Sequence, residues 1–160
     1  GLFLIKRLVN NQDVILTENG ERIYQACHAD NIGLAFSKVC NNSVSYGKIY
    51  NIAGQEKLTW NYVYNYLINE IGSDSKIHYF DTEYLLNLYP DKFEFMSTGT
   101  RYDTILSTET LCNDIFDYKY IVNFCEGIKS ILLYNKFKAI NYISEEDRVY
   151  DEIIDNYLSN

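Results

Sequence analysis

The sequence has little of what builds metal centres, disulfide frameworks or membrane spans. Its 160 residues contain four cysteines, no Cys-x-x-Cys pair and only two histidines. These numbers predict neither a zinc site nor a disulfide framework, so we expect reduced cysteines in the core. No apolar run approaches the roughly 20 residues that a membrane-spanning helix needs, and no signal-peptide pattern opens the chain. We therefore expect a cytoplasmic protein that holds no metal and contacts no membrane.

Breakers of regular structure are also scarce. The chain has one proline and eight glycines, which favours a compact α/β unit over many short strands joined by turns. A hydrophobic fraction of 47% with 22% charged residues is typical of a globular protein. The length predicts one domain, and we find no internal repeat.

Basic residues are fewer than acidic ones, with 14 lysines and arginines against 22 aspartates and glutamates. A formal net charge of −8 argues against a dedicated nucleic-acid binder, which needs a basic face to displace counterions from phosphates. Most of the negative excess lies in residues 145–160, so the acidity is a local feature. Aromatic residues are abundant at 16%, which suggests that part of the surface meets a ligand or another protein surface.

Residues 46–60 read as one βα unit. Ile49, Tyr50 and Ile52 predict a strand, because β-branched and aromatic residues favour extended structure. Thr59 is a good N-cap, and apolar residues then recur at helical spacing until Gly72, which predicts a helix over 60–71.

The residues before this unit predict one helix, a hairpin and a second helix. Residues 2–9 resemble the last turns of an amphipathic helix. The strand-like runs 14–17 and 22–27 flank an Asn-Gly dipeptide, which is a strong signal for an antiparallel hairpin. Apolar residues at helical spacing predict a helix over about 30–41, with Asp30 placed to cap its first turn.

The residues after it predict a strand and several helices. Residues 76–80 are strand-like, and residues 81–83 begin a short helix that ends near Pro90. Residues 93–96 and 102–106 are either short strands or extended loop. Further helices begin near residue 108, span 123 to about 137, and begin at Ser144 in capping-box style.

Several segments together resemble the C-terminal, substrate-side part of the NAD-dependent epimerase/dehydratase family, a group of extended and atypical short-chain dehydrogenases/reductases. The matching segments are the His28-x-Asp30-Asn31 start of a helix, Tyr46-Gly-Lys-Ile-Tyr-Asn-Ile-Ala-Gly54, Leu58-Thr-Trp60 and Phe124-x-Glu-Gly-Ile128. The resemblance implies an α/β fold: the C-terminal lobe of a Rossmann-type enzyme, mostly helical with a few short strands. Residues 1–160 would form this single lobe.

Two family motifs are missing. The sequence has no Gly-x-x-Gly-x-x-Gly turn, where these enzymes bind their dinucleotide. The only Tyr-x-x-x-Lys is Tyr134 with Lys138, and about one such pair is expected by chance in this composition. The resemblance therefore implies a fragment without the nucleotide-binding half and without catalytic residues of its own. NAD or NADP would bind the full-length parent, and this fragment would bind neither tightly.

Five residues are candidates for substrate binding by position. His28 and Asp30 precede a helix whose N-terminal amides are able to meet a phosphate or a substrate oxygen. Their alternative role is local, with Asp30 capping the helix and His28 bonding to the backbone. The family often has an arginine four residues before this histidine, which reaches a nucleotide-sugar diphosphate, but Tyr24 stands there.

The other three candidates are Asn51, Trp60 and Arg101. Asn51 ends the predicted strand, where open α/β sheets place ligand groups, or its amide holds the following loop. Trp60 lines a sugar face or belongs to the core. Arg101 lies in the loop over the substrate in the family pattern, or is a solvated surface arginine.

The first hypothesis is a lobe of an NAD(P)-dependent sugar or nucleotide-sugar epimerase, dehydratase or reductase, inactive alone. Its implied partners are the missing N-terminal half and a sugar or nucleotide-sugar substrate. The alternative is a non-catalytic binding module for RNA or protein on the same fold, although the acidic charge makes nucleic acid an improbable ligand. We also expect a homo-oligomer, because a lobe without its partner half exposes apolar surface.

Overall fold

The computed structural model describes residues 2–115, 119–135 and 143–159, and these residues form short strands among α-helices. The strands are β1 Val14–Thr17, β2 Ile23–Tyr24, β3 Leu58–Thr59 and β4 Ile77–Phe80. The helices are α1 Leu2–Val9, α2 Ala29–Val39, α3 Trp60–Ile71, α4 Thr82–Leu88, α5 Pro90–Gly99, α6 Glu109–Asp114, α7 Phe124–Asn135 and α8 Glu145–Leu158.

The strands form two separate two-stranded sheets. β1 pairs in parallel with β4, with Val14 opposite Ile77 and Thr17 opposite Phe80. β2 pairs antiparallel with β3. All four residues of β1 are buried, as expected for a strand covered on both faces.

The predicted hairpin between residues 14–17 and 22–27 is wrong. The chain does turn between the two runs, with Glu18 and Gly20 at positive φ, but β1 and β2 then pair with different strands. The turn instead docks on α3, where the Asn61 amide donates to the Gly20 carbonyl at 2.9 Å. Long-range pairing therefore overrides the local Asn-Gly signal.

The predicted strand at residues 49–52 is also wrong. The segment lies outside the regular strands, and the strand before α3 is β3. Tyr50 and Ile52 pack against a small core of α2 and α6, whereas Ile49 is 92% exposed. The Tyr50 hydroxyl donates to Asp114 at 2.8 Å and fastens the segment to α6. A strand requires a neighbour that exchanges backbone hydrogen bonds, and the described residues offer none here.

Helix α3 confirms the prediction at both ends. The Thr59 hydroxyl accepts from the Tyr62 amide at 3.1 Å. Gly72 adopts the left-handed conformation, with φ 73°, and its amide donates to the Ile68 carbonyl at 3.0 Å. Both caps satisfy backbone groups that a helix end leaves open.

Helix α2 is confirmed, but its cap is not Asp30. His28 is the N-cap, and its Nδ1 accepts from the Asp30 amide at 3.2 Å. The Asp30 side chain is 67% exposed. The prediction assigned the cap to the wrong side chain because the helix begins one residue earlier than expected.

Residues 93–96 lie in helix α5, so the prediction that they form either a short strand or an extended loop is wrong. Pro90 is the first residue of this helix, a position where the backbone N–H has no partner within the helix, so the missing N–H of proline costs nothing. Phe93 and Met96, one helical turn apart, are both buried. The segment 103–108 is extended loop. The strand β4 and the helices α1, α4, α6, α7 and α8 agree with the predictions over the described residues.

An ionic cluster of Lys6, Arg7, Asp147 and Asp151 joins α1 and α8; the Arg7 and Asp147 side chains are fully buried, whereas Asp151 is 48% exposed. The Arg7 Nη2 donates to Asp151 at 2.6 Å, while its Nη1 donates to Asp147 at 3.3 Å. Lys6 also pairs with Asp147. The free-energy cost of removing the Arg7 and Asp147 charges from water is offset by the several hydrogen bonds that these groups form with each other and with their neighbours.

None of the helices in the described ranges is long and apolar enough to cross a membrane.

Candidate functional site

The candidate site is a cavity of about 810 Å³ between the helices. Its walls come from α1, α3, α5, α7 and α8 together with the segments 24–28, 54–56 and 120–123. Cavities of this size, with apolar walls and a few polar groups, are the usual place for small ligands. The segments around it are held closely, because a Cβ on Gly54 would lie 1.9 Å from the Ala26 carbonyl oxygen.

One wall is aromatic. The Tyr24 and Trp60 rings stack with centroids 4.4 Å apart, and the Tyr64 ring meets Trp60 edge-on at 6.4 Å. The Trp60 Nε1 is buried and has no hydrogen-bond partner among the described residues. A buried donor without an acceptor is unfavourable, so this wall retains capacity for one more hydrogen bond.

Two tyrosines that line the cavity, Tyr64 and Tyr150, keep their phenol protons near neutral pH because burial raises the pKa of each. Burial raises the pKa of Tyr150 to about 12, despite the opposing charge of Arg7, and burial raises the pKa of Tyr64 further. No lysine lines the cavity among the described residues, so no cation there lowers a phenol pKa. The described wall therefore lacks a Tyr-Lys pair.

Helix α7 begins at the cavity with a capping box. The Asn123 side chain accepts from the Glu126 amide at 2.9 Å, and the Glu126 carboxylate accepts from the Asn123 amide at 3.0 Å. Glu56 adds a second carboxylate, whose Oε2 accepts from the Phe124 amide at 2.6 Å. Two carboxylates thus occupy the amides at this helix start.

Two of the five predicted residues, His28 and Trp60, line the cavity. The His28 ring lies against α7, where a Cβ on Gly127 would approach its Cδ2 to 3.1 Å. The ring Nδ1 lies 3.2 Å from the Asp30 backbone amide and 3.6 Å from the Asp30 carboxylate. His28 thus has both roles that were weighed: it bonds to the backbone and it faces the candidate site.

The other three predicted residues lie outside the cavity lining. Asp30 is exposed beside the α2 cap. The Asn51 amide donates to the Ser107 carbonyl at 3.3 Å, which matches its alternative role of holding a loop. Arg101 pairs with Glu83 and lies 5.9 Å from the Tyr102 ring centroid. Their substrate-binding roles stay predictions.

Sequence reasoning missed Glu56, Glu126 and Asn31. Asn31 is buried and clamps the rim, since its Oδ1 accepts from the Ile121 and Val122 amides and its Nδ2 donates to the Val122 carbonyl at 2.6 Å. The Asn-x-x-Glu spacing before α7 is the signal for its capping box. Glu56 gives no local signal, because it reaches α7 from 68 residues away.

Within the described ranges, no group of three or more His, Cys, Asp or Glu side chains is arranged to hold a metal ion. Tyr134 is 87% exposed on α7, and Lys138 lies outside the described residues. The Tyr-x-x-x-Lys match is therefore not assembled at the cavity in the part of the chain that the structure covers.

Comparison with known proteins gives structural neighbours only. No protein-family model matches the sequence, and no curated protein matches it. The UDP-glucose 4-epimerase of Thermotoga maritima, solved with UDP-glucose, superposes with a TM-score of 0.66 at 17% identity over 85% of this chain and 39% of the epimerase.

Two further neighbours agree. The dTDP-glucose 4,6-dehydratase of Bacillus anthracis, solved with NAD, gives a TM-score of 0.58 at 16% identity over 84% of this chain and 38% of the dehydratase. The PbgP3 protein of Burkholderia pseudomallei gives 0.59 at 14% identity over 82% and 36%. The chain spans less than two fifths of the length of all three. The likeness shows the fold, which agrees with the predicted α/β lobe that is mostly helical with a few short strands.

Proposed function

We propose that this chain is the substrate-side lobe of an NAD(P)-dependent epimerase, dehydratase or reductase that acts on a sugar or nucleotide sugar, and that it is inactive alone. The observation that carries the proposal is an aromatic cavity of about 810 Å³ in a fold shared with a UDP-glucose epimerase and a dTDP-glucose dehydratase. Aromatic rings such as Trp60 offer an apolar face to a sugar ring.

The residues of this chain do not fit a dinucleotide. The sequence has no glycine-rich βα turn, and Gly54, which lines the cavity, is needed for close contact with the Ala26 carbonyl rather than for a phosphate. At the start of α7, the Asn123 and Phe124 amides already donate to the Glu126 and Glu56 carboxylates. We therefore propose that NAD or NADP binds the nucleotide-binding half of a longer parent protein, and that this lobe only binds and orients the substrate.

The test uses Trp60 as a reporter, because it is the only tryptophan of the chain. The purified chain is titrated with neutral sugars, amino sugars, nucleotide sugars, NAD and NADP while indole fluorescence is followed. We expect at least one sugar class to change the fluorescence and neither dinucleotide to do so. Tight binding of NAD with turnover of a substrate by this chain alone would contradict the proposal, as would silence of all sugars.

A pair of variants at His28 separates binding from folding. His28→Asn keeps a side chain that caps α2 well but removes the imidazole from the cavity, so stability should be kept while ligand affinity falls. His28→Ala removes the cap as well and should cost about 1 kcal/mol of unfolding free energy. Equal ligand affinity in wild type and His28→Asn would remove His28 from the site.

Self-association completes the proposal. Ile49 is 92% exposed and Tyr46 is 67% exposed on the segment before α3. Covering such a surface with another polypeptide is favourable, either the nucleotide-binding half or a second copy of this chain. Light scattering over a concentration series tests the second copy, and a monomer at the highest concentration would argue against it.

A further inference from the structure

We propose that the cavity takes a sugar ring that carries a protonated amine, and that it rejects a nucleoside diphosphate. This inference rests on the proposed function in taking the same cavity as the ligand site. It goes further by assigning the charge of the ligand.

The charge of the cavity wall is the first observation. Among the described residues, the lining contains the carboxylates of Glu56 and Glu126 and no lysine or arginine. His28 is the only imidazole of this lining, and its Nδ1 lies 3.2 Å from the Asp30 backbone amide and 3.6 Å from the Asp30 carboxylate. A diphosphate has no lysine or arginine to pair with in this wall, whereas an ammonium group has two carboxylates.

The start of α7 would otherwise be the natural place for a phosphate. A helix N-terminus carries free amides and a partial positive charge that favours anions. Here the amides of Asn123 and Phe124 already donate to the Glu126 and Glu56 carboxylates at 3.0 and 2.6 Å. The anion site is therefore filled by the protein itself, and an added phosphate would meet two negative charges.

Both carboxylates keep an oxygen for a ligand. Glu56 and Glu126 each use Oε2 for a backbone amide, and their Oε1 atoms accept no hydrogen bond from the described residues. The two Oε2 atoms bond to consecutive amides, so the two groups lie at one end of α7. One ammonium group with three donors is able to meet both.

The aromatic wall favours the same ligand. The stacked Tyr24 and Trp60 pair lines the cavity together with Phe124. Aromatic faces attract cations as well as the apolar face of a sugar ring, and tryptophan does so best. Apolar packing and cation attraction thus act on one ligand.

The nearest buried cation does not reverse this charge. Arg7 lies 5.2 Å from the ring centroid of Tyr150, which lines the cavity. Its guanidinium is compensated by Asp147 and Asp151 in the ionic cluster. The local balance around the cavity stays negative.

A charge series on one ring tests the inference. The purified chain is titrated with glucosamine, glucose, glucuronate and UDP at a pH where the amine is protonated, with Trp60 fluorescence and calorimetry as readouts. We expect glucosamine to bind about fivefold more tightly than glucose, the size expected of a partly exposed ion pair. Glucuronate should bind more weakly than glucose, and UDP should not bind.

Two variants assign the preference to its groups. Glu56→Gln and Glu126→Gln keep an oxygen that accepts the α7 amides but remove the charge, so each should lower the ratio of glucosamine affinity to glucose affinity. Glu109→Gln on α6, which lies outside the cavity lining, is the matched control and should keep the full preference.

The possible outcomes separate this inference from the proposed function. Equal binding of the three sugars, a preference for glucuronate, or binding of UDP would overturn the inference and leave the lobe a sugar-binding unit. Silence of the amino sugar together with all other sugars would overturn both. The wild-type series decides the question even if a variant fails to fold.

Discussion

Helices α7 and α8 both begin with a capping box, but one box lies beside the cavity and the other in the ionic cluster. In α8, the Ser144 hydroxyl accepts from the Asp147 amide at 3.3 Å, and the Asp147 carboxylate accepts from the Ser144 amide at 2.7 Å. In α7, Asn123 and Glu126 exchange the equivalent hydrogen bonds. The Asp147 side chain is fully buried, whereas Glu126 is exposed beside the cavity.

The difference lies in what happens to the carboxylate of each box. Asp147 forms ion pairs with Lys6 and Arg7, so its negative charge is neutralised inside the protein. Glu126 meets no cation among the described residues and is joined by a second acid, Glu56. One capping box therefore closes the ionic cluster, and the other presents negative charge to a cavity.

The largest expected effect comes from removing the buried cation. Arg7→Met should lower the unfolding free energy by about 3–5 kcal/mol, because Asp151 then loses its ion pair and the buried Asp147 keeps only Lys6. Arg148→Met changes the same residue type on the exposed side of α8 and should stay within about 0.5 kcal/mol. Urea denaturation measures both. Similar losses in the two variants would contradict a closed cluster around Arg7.

The next effect is a dependence of stability on pH. Burial alone would raise the pKa of Asp147, but hydrogen bonds from Lys6 and Ser144 outweigh it and hold the pKa below its usual value. Because the pKa of Asp147 is lower in the folded state than in the unfolded state, its ionised form stabilises the folded protein at pH values above the unfolded pKa of about 3.9. This stabilisation is lost as the pH falls through the folded pKa. Stability should therefore fall below about pH 4.

Two variants attribute this acid sensitivity. Asp147→Asn should be less stable near neutral pH and should show a flatter acid limb, measured by thermal unfolding over a pH series. Asp74→Asn on the surface should keep the wild-type profile. Asp13, Asp114 and Glu146 also have lowered pKa values, through hydrogen bonds such as that from the Lys76 amide to Asp13, and should contribute to the acid sensitivity that remains.

Deleting the cap residues compares the two boxes directly. Ser144→Ala and Asn123→Ala each remove an N-cap and should cost about 1 kcal/mol. The loss should be greater at Ser144, because its hydroxyl also donates to the Asp147 carboxylate at 2.8 Å. Denaturant titration of Ser144→Asn and Asn123→Ser, which keep a capping side chain, provides the controls. A greater loss of unfolding free energy in Asn123→Ala than in Ser144→Ala would contradict the prediction that the buried capping box contributes more to stability.

The smallest effect on stability should follow removal of the cavity charge. Glu126→Gln keeps the capping hydrogen bond and should change the unfolding free energy by less than about 0.5 kcal/mol. Asp147→Asn is the matched change in the buried box and should cost clearly more. A large loss for Glu126→Gln would mean that its charge belongs to the fold, and would weaken its assignment to a ligand.

Local signals gave correct predictions where the structure is local. The ends of α3 at Thr59 and Gly72 depend on hydrogen bonds within one turn, and so does the Ser144 box of α8. The strand pairing was not predictable in this way, since β1 finds its partner β4 some 60 residues away. Residues 49–52 have strand-forming side chains, but a strand also needs a neighbour.

The candidate site shows the same division. Trp60 and His28 were found because they flank helix starts that the sequence marks. Glu56 acts on α7 only through the tertiary fold, so no spacing in the sequence points to it. The charge character of the cavity, which depends on Glu56 and Glu126 together, is therefore a property of the folded chain.

The exposed segment before α3 has a practical consequence for handling the protein. Ile49 presents an almost fully exposed branched side chain on extended backbone outside the regular strands. Such a segment invites pairing by another polypeptide, and natural sheets avoid this with a charged residue at the edge. Ile49→Lys would supply that charge at a residue outside the cavity lining and should slow precipitation of concentrated samples. The solubility of the lobe is thus adjustable at one position without altering its ligand site.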